Sequence, residues 1–258
     1  AGGGIVSCRN HAALLNSDEN KLAANSADKL NPVSPQQLAL LALAAATILI
    51  FFPSAALLAE KWRMGGAFAD HGFAIAALAL ILFIRQARLL DSTEPRTAWW
   101  AMPALVAASV LWLLGYMADV AAIHTSLLPF LLFGAIFAAF GPRIAHHMAF
   151  PVFYLLFALP VWQELQFIFQ AITTQMTYFM LNVFGVPALI EGDLVHVPAG
   201  TFRIAYGCSG VNFILVGLAV ATFYGHIYFR HLSSKLQLAM AALALSIVSN
   251  WIRVTLII

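Results

Sequence analysis

The sequence predicts an all-α fold: a polytopic bundle of about seven or eight membrane-spanning helices, with one small β-hairpin outside the membrane. Hydrophobic residues make up 62% of the chain and charged residues only 9%. Several uninterrupted apolar stretches also reach the roughly 20 residues that a helix needs to cross a bilayer. No soluble class of protein has this composition. The net charge of +2 comes from scattered basic residues, so nucleic-acid binding is not expected.

The first part of the chain differs from the rest. Residues 1–35 are polar and rich in Ala, Asn, Ser and Asp, and they lack the apolar core of a secretory signal. We therefore expect a flexible cytoplasmic tail, followed by a membrane domain over residues 36–258. The first helix should begin where Ser34 can cap it and Gln37 can complete a capping box, with Pro35 in the first turn.

Seven membrane spans follow from the apolar stretches. The expected spans are 37–59, 67–84, 98–118, 121–140, 148–162, 209–229 and 236–258. An eighth stretch, 165–184, carries Gln and Thr residues at three- and four-residue spacing, which gives one polar face on an aromatic-rich helix. This eighth helix either crosses the bilayer or lies along its interface.

The basic residues predict the orientation, because loops rich in Lys and Arg stay in the cytoplasm. With the N-terminus inside and residues 165–184 not crossing, nine of the 13 basic residues lie inside and four lie outside. The four outside are Lys61, Arg63, Arg203 and Arg253. This orientation places Cys208 and Arg253 near the same, outer membrane surface.

A hairpin is predicted just before Cys208. Residues 193–198 and 201–206 alternate apolar and polar side chains on either side of Ala199-Gly200, which is typical of two strands joined by a turn. We expect it on the outer side. His196 lies in this hairpin, on the same side as Cys208, and is more typical of a surface strand residue than of a catalytic base.

Gly207-Cys208-Ser209-Gly210 places a lone cysteine at the start of an apolar helix. A cysteine nucleophile attacks as the thiolate, which a helix N-terminus or a nearby cation stabilises. The glycines permit a tight turn, and N–H groups at Ser209 and Gly210 are candidates to bind an oxyanion. Cys208 is therefore either the nucleophile of a membrane enzyme or a small apolar helix residue. Ser209 is expected to cap the helix.

Arg253 lies near the end of the last apolar stretch, where an arginine is energetically costly. Its fork of donors either holds an oxyanion or a substrate carboxylate, or the side chain snorkels to the membrane boundary. Glu191 could attract a basic segment of a substrate, and Arg203 could pair with a neighbouring carboxylate. The two cysteines lie about 200 residues apart and form no metal-ligand cluster, so neither a metal site nor a cofactor is predicted.

Taken together, these motifs resemble the core of the exosortases, in particular those of the exosortase A type. This exosortase/archaeosortase family comprises integral-membrane cysteine transpeptidases, the exosortases being those of Gram-negative bacteria. The resemblance is most specific over residues 185–258. The residues that carry it are Gly185-Val186-Pro187, Glu191-Gly192, Pro198-Ala199-Gly200-Thr201-Phe202, Cys208-Ser209-Gly210, Arg230 and Asn250-Trp251-Ile252-Arg253.

The resemblance implies a Cys, Arg and His set that cleaves exported proteins at a C-terminal Pro-Glu-Pro sorting signal. It also implies a link to exopolysaccharide, a multi-pass location in the bacterial inner membrane and an active site on the periplasmic side. Cys208 would be the nucleophile and Arg253 the stabilising arginine. The acceptor nucleophile is not identified by the resemblance.

The family's histidine follows the arginine. We therefore expect the chain to be C-terminally truncated, with the histidine beyond Ile258, and we expect His196 and His226 to be dispensable. Two alternatives remain at this point: a polytopic transporter, or a non-catalytic scaffold for exopolysaccharide export.

Overall fold

The computed structural model of the chain describes residues 34–64, 71–90 and 93–258. The described part contains nine α-helices and a small sheet, which confirms the predicted helical bundle. The helices are α1 (Pro35–Ile50), α2 (Phe52–Arg63), α3 (Gly72–Leu89), α4 (Met102–Met117), α5 (Ala121–Phe140), α6 (Pro142–Tyr154), α7 (Gln166–Val183), α8 (Val211–Tyr228) and α9 (Leu232–Ile257). Almost all of the predicted tail, residues 1–35, lies outside the described residues.

The helices fit a polytopic membrane protein. Among the described residues, five helices are long and apolar enough to cross a membrane, and two bent pairs raise the number to seven if each pair is one span. The predicted capping box at the start of α1 is also confirmed, because Ser34 Oγ accepts from the Gln37 N–H at 3.2 Å and the Gln37 side chain accepts from the Ser34 N–H at 3.4 Å.

The first predicted span, 37–59, is not one continuous helix. It breaks at Phe51 into α1 and α2, which meet at an angle of 85°. Pro53 lies in the first turn of α2, where its ring would clash with a carbonyl one turn earlier if the helix continued. The apolar stretch is helical as predicted, but it forms two helices that meet at a sharp bend.

The predicted span 148–162 was also placed incorrectly. Helix α6 begins earlier, at Pro142, directly after Gly141, whose φ is +87°. It ends at Tyr154, and two 3₁₀ turns, Leu155–Ala158 and Pro160–Leu165, lead into α7 at a bend of 53°. The extended conformation of Leu159 before Pro160 makes this break, as expected for a residue that precedes proline.

The predicted hairpin is present and is part of a larger sheet. Strands β2 (Leu194–Val197) and β3 (Gly200–Arg203) pair antiparallel around the predicted turn, and β1 (Leu189–Glu191) adds to the other edge of β2. With only three residues, β1 is too short to show an alternating pattern in the sequence. Val195 packs against Leu181, Ile204 and Val254, so one face of the sheet covers the ends of α7 and α9.

Helices α8 and α9 form a close antiparallel pair that positions the two predicted site residues. A Cβ added to Gly217 of α8 would clash with the Ser246 hydroxyl of α9, and one added to Gly225 would lie 3.6 Å from the Lys235 side chain. These small residues let the two helices approach closely. Cys208, just before α8, and Arg253, near the end of α9, consequently lie at the same end of the pair.

Candidate functional site

Cys208 lies in a turn rather than inside a helix. It ends the 3₁₀ turn Tyr206–Cys208, two residues before Gly210, and α8 begins at Val211. The thiol is free and half-buried. The turn already uses two backbone donors, because the Cys208 N–H donates to the Ala205 carbonyl at 2.8 Å and the Ser209 N–H donates to the Tyr206 carbonyl at 3.0 Å.

Ser209 is buried and anchors the turn in two ways. Its carbonyl accepts from the Thr173 hydroxyl of α7 at 3.3 Å, and its own hydroxyl accepts from the Val211 N–H at 3.5 Å. The N-cap position of α8, however, belongs to Gly210. The prediction that Ser209 caps the helix was therefore wrong by one position, since its hydroxyl reaches the first helical N–H from outside the cap.

Only glycine fits at position 210. Its φ is +85°, a left-handed conformation that disfavours other residues. A Cβ there would also lie 2.6 Å from Asn250 Nδ2. The tight turn predicted at this glycine is thus present, and the side chain of Asn250 packs directly against it.

Asn250 links Cys208 to Arg253. Its Nδ2 donates to the Cys208 carbonyl at 2.9 Å, and its Oδ1 accepts from Arg253 Nη2 at 3.2 Å. Only 1% of Asn250 is exposed to solvent. Sequence reasoning assigned no role to Asn250. The available signal was its spacing from Arg253, because residues three apart share one face of a helix.

The Arg253 guanidinium is held from a second side. Its Cζ atom lies 4.8 Å from the centre of the Phe213 ring, in the first turn of α8, a distance at which a cation is attracted by an aromatic face. The Nε–H is buried and has no hydrogen-bond partner among the described residues. Arg253 therefore does not simply reach outward to the membrane boundary.

Two further buried polar atoms on the elements around Cys208 have no hydrogen-bond partner in the described part of the chain: Thr177 Oγ1 on α7 and Asn212 Oδ1 on α8. Buried polar groups are normally hydrogen-bonded. Arg253 Nε and these two atoms therefore have hydrogen-bonding capacity that is free to bond a polar ligand.

The polar face of α7 points into the protein. Thr173, Thr174 and Thr177 are all buried, and Gln170 donates to the Ile204 carbonyl. The sequence left open whether this helix crosses the bilayer or lies along its interface, because a polar face can also meet water. In the structure, this face covers the Cys208 turn. It therefore forms part of the candidate site in either case.

Glu191 and Arg203 are not brought to the thiol. Along the strands, their side chains alternate with those that pack inward, so they lie on the outer face of the sheet. Arg203 Nε lies 3.1 Å from Asp193 Oδ2, and His196 Nε2 lies 3.5 Å from Glu191 Oε2. The predicted pairing of Arg203 with a neighbouring carboxylate is present. His196 is a strand residue, as the sequence indicated.

No group of three or more His, Cys, Asp or Glu side chains that could hold a metal ion occurs in residues 34–64, 71–90 and 93–258. The chemical groups of the candidate site are the Cys208 thiol, the Asn250 amide and the Arg253 guanidinium.

A sequence model of the family described as transmembrane exosortase matches residues 62–258, which is most of the chain. The matched part contains the sheet, the Cys208 turn and Arg253. The chain belongs to the transmembrane exosortase family. The match reaches well upstream of the core motifs at 185–258, so α3 to α7 of this exosortase belong to the family domain as well. A comparison with curated proteins finds no match, and neither does a comparison with solved structures.

Proposed function

We propose that this exosortase is a membrane-embedded cysteine transpeptidase that cleaves the C-terminal Pro-Glu-Pro sorting signal of exported proteins. One observation carries the proposal: a free thiol, in a turn that only glycine permits, is connected through Asn250 to an arginine whose buried Nε–H has no partner among the described residues. A nucleophile together with a cationic donor is the arrangement that acyl transfer needs. Family membership agrees with it.

In the proposed mechanism, Cys208 Sγ attacks the carbonyl carbon of the peptide bond that is cleaved. The negative charge that develops on the carbonyl oxygen is stabilised by Arg253. The C–N bond then breaks, the amine of the tail takes a proton, and the exported protein remains as a thioester on Cys208. Water or an acceptor amine or hydroxyl then attacks the thioester and regenerates the thiol. The proton transfers belong to a histidine that the family places after Arg253.

The proposed location is the bacterial inner membrane, with the site on the periplasmic side. A cytoplasmic N-terminus is supported by nine basic residues inside and four outside. The same nine-to-four count results if residues 165–184 cross the membrane. In that case Arg203 and Arg253 move inside, while Arg230 and Lys235 move outside. The periplasmic placement rests instead on treating the bent pair of α6 and α7 as one span. Such a site meets substrates after export, which suits a link to exopolysaccharide and surface proteins.

The test is the processing of a reporter with a Pro-Glu-Pro tail, co-expressed with the full-length protein. Cys208→Ala should abolish the shorter product, and Thr255→Val should retain it at equal protein level. Thr255 is a matched control because it is buried in the same helix as Arg253 and, within the described part of the chain, its hydroxyl bonds only Trp251 O and Met180 Sδ. Undiminished processing by Cys208→Ala would exclude the mechanism. Binding of the tail without any processing by the wild type would favour a scaffold, and transport that survives Cys208→Ala would favour a transporter.

A further inference from the structure

We propose that Asn250 is a positioning residue of this site: it holds the Cys208 turn and the Arg253 guanidinium in one arrangement, so that the Nε edge of Arg253 faces the reacting carbonyl. This inference rests on the proposed function, because it assigns a role within that reaction. It starts from the two hydrogen bonds that the Asn250 amide makes, to Cys208 O and to Arg253 Nη2.

The two bonds fix the orientation of the amide. The Cys208 carbonyl can only accept a hydrogen bond, and the Arg253 guanidinium can only donate one. The amide must therefore present its NH₂ group to Cys208 and its oxygen to Arg253. Asparagine supplies a donor and an acceptor on one short side chain, whereas aspartate supplies only acceptors and leucine supplies neither.

The Asn250 amide is tightly packed against the Cys208 turn. Asn250 is 1% exposed, and the space next to its Nδ2 is occupied by the backbone of Gly210. The left-handed backbone at Gly210 and the Asn250 side chain therefore fit each other. A movement of Asn250 has to displace the turn that carries the thiol.

The same contacts decide which edge of the guanidinium is free. Nη2 is used by Asn250, and the Phe213 ring lies against the guanidinium group. The Nε–H is left buried and without a partner in the described residues. With two of its contacts fixed, the guanidinium is aligned before the substrate arrives, which is what makes a charge-stabilising donor effective. The Nε–H is then the donor that meets the oxyanion.

A purely structural role for Asn250 makes a different prediction from a positioning role. If Asn250 acts together with Arg253 as one unit, the loss of activity in the double variant should be clearly smaller than the product of the two single losses. If Asn250 only stabilises the fold, the two losses should multiply. The comparison therefore needs Asn250→Leu, Arg253→Ala and the double variant.

The experiment uses the full-length protein, reconstituted with a purified reporter, and measures kcat and KM for processing. Asn250→Leu should lower kcat by about 100-fold, the size of effect that a small misplacement of reacting groups produces, and leave KM within about twofold. The double variant should lose clearly less activity than the product of the two single losses. Asn250→Asp, which has the same shape and keeps the acceptor for Arg253, should also lose activity. Thr255→Val should retain the wild-type rate.

Hydrogen–deuterium exchange of the peptide that covers residues 206–213 gives a second readout that does not require activity. Asn250→Leu should exchange there about fivefold faster or more, because the Cys208 carbonyl loses its donor, and Thr255→Val should exchange like the wild type. Multiplicative losses in the double variant, or unchanged exchange in Asn250→Leu, would overturn the proposal. A wild type that does not process the reporter would overturn the proposed function instead, and the exchange measurement would still decide whether Asn250 holds the turn.

Discussion

Two groups of buried polar side chains in this protein differ in whether their hydrogen-bonding atoms have partners. In the first, between α2, α4 and α5, the Ser54 hydroxyl accepts from Trp112 Nε1 at 2.8 Å and pairs with His124 Nδ1 at 2.7 Å. Ser54 is fully buried and His124 is 2% exposed. In the second cluster, around Cys208, Arg253 Nε and the side-chain oxygens of Thr177 and Asn212 are buried without partners in the described residues.

The comparison separates the Ser54–His124 contact, which we interpret as structural, from Cys208, for which we propose a functional role. The Ser54 hydroxyl is bonded to both Trp112 and His124, and the aromatic rings of Phe51 and Tyr116 pack on these two partners. Such a satisfied network adds rigidity. On the elements around Cys208, by contrast, a donor of Arg253, an acceptor of Asn212 and the hydroxyl of Thr177 have no partner among the described residues, which costs stability unless a ligand completes their bonding. Unused hydrogen-bonding capacity therefore distinguishes these groups from the Ser54 network.

Among the variants that test this comparison, Arg253→Lys is expected to have the largest effect on processing. A lysine keeps the charge but has no second nitrogen, so it cannot bond Asn250 and leave an aligned Nε–H. We expect a loss of processing of about 100- to 1,000-fold, the cost of removing one oxyanion donor, with the protein level unchanged.

Arg203→Lys is the matched control for that substitution. Arg203 is exposed on the outer face of the sheet and pairs with Asp193, so its replacement should leave processing within about twofold, as is usual for surface ion pairs. Both variants would be compared by the initial rate of reporter cleavage. If Arg253→Lys were as active as Arg203→Lys, the Arg253 guanidinium would have no specific role in the reaction.

A second, smaller effect is expected from Gly210→Ala. Alanine at φ +85° is strained, and its Cβ would overlap Asn250. Gly185→Ala is the matched control, because Gly185 has a φ of +75° but open space where a Cβ would lie. Gly185→Ala should cost about 1 kcal/mol from the backbone alone. Gly210→Ala should lower the thermal midpoint further and also reduce processing, by less than Arg253→Lys does.

These two glycine variants would be compared in detergent by thermal unfolding and by reporter cleavage. If Gly210→Ala processed the reporter as well as Gly185→Ala does, the packing of Asn250 against the turn would have no part in the reaction.

The smallest effect on chemistry is expected from the first cluster. Ser54→Ala leaves the buried Trp112 N–H and His124 without their shared partner, which should cost about 1–3 kcal/mol of stability. The cleavage rate per folded molecule should stay at the wild-type value. Ser109→Ala is its control, because the Ser109 hydroxyl only bonds the Leu105 carbonyl of its own helix. A Ser54→Ala protein that is stable but inactive would make the Ser–His pair functional and break the comparison.

Most of the fold could be predicted because apolar runs of bilayer length are a strong signal. Helix α5 was predicted with both of its ends correct. Helix breaks were harder to predict, because a proline does not by itself decide where a helix ends. Pro129 lies inside α5 and Pro151 inside α6. Pro53, in contrast, coincides with a sharp bend, and Pro160 coincides with a 3₁₀ turn. Whether neighbouring groups can satisfy the freed carbonyls depends on tertiary contacts that the sequence does not display.

For the site, the sequence identified Cys208, Gly210 and Arg253 through residue type and position, and their roles remain predictions. It assigned no role to Asn250, because the spacing from Arg253 places the two side chains on one helix face but does not show that the amide bonds a backbone carbonyl 42 residues earlier. It also did not reveal that the polar face of α7 packs over the Cys208 turn, since amphipathic spacing shows that a face is polar but not what lies against it.

The central claim is that Cys208 becomes acylated by the exported protein. The most direct measurement is mass spectrometry of the full-length protein quenched with acid during turnover of a Pro-Glu-Pro reporter. The account predicts a hydroxylamine-sensitive adduct of the reporter's N-terminal part on Cys208, which is absent in Cys208→Ala and present in Ser54→Ala. A shortened reporter that forms equally well in Cys208→Ala, with no adduct on residue 208, would contradict it.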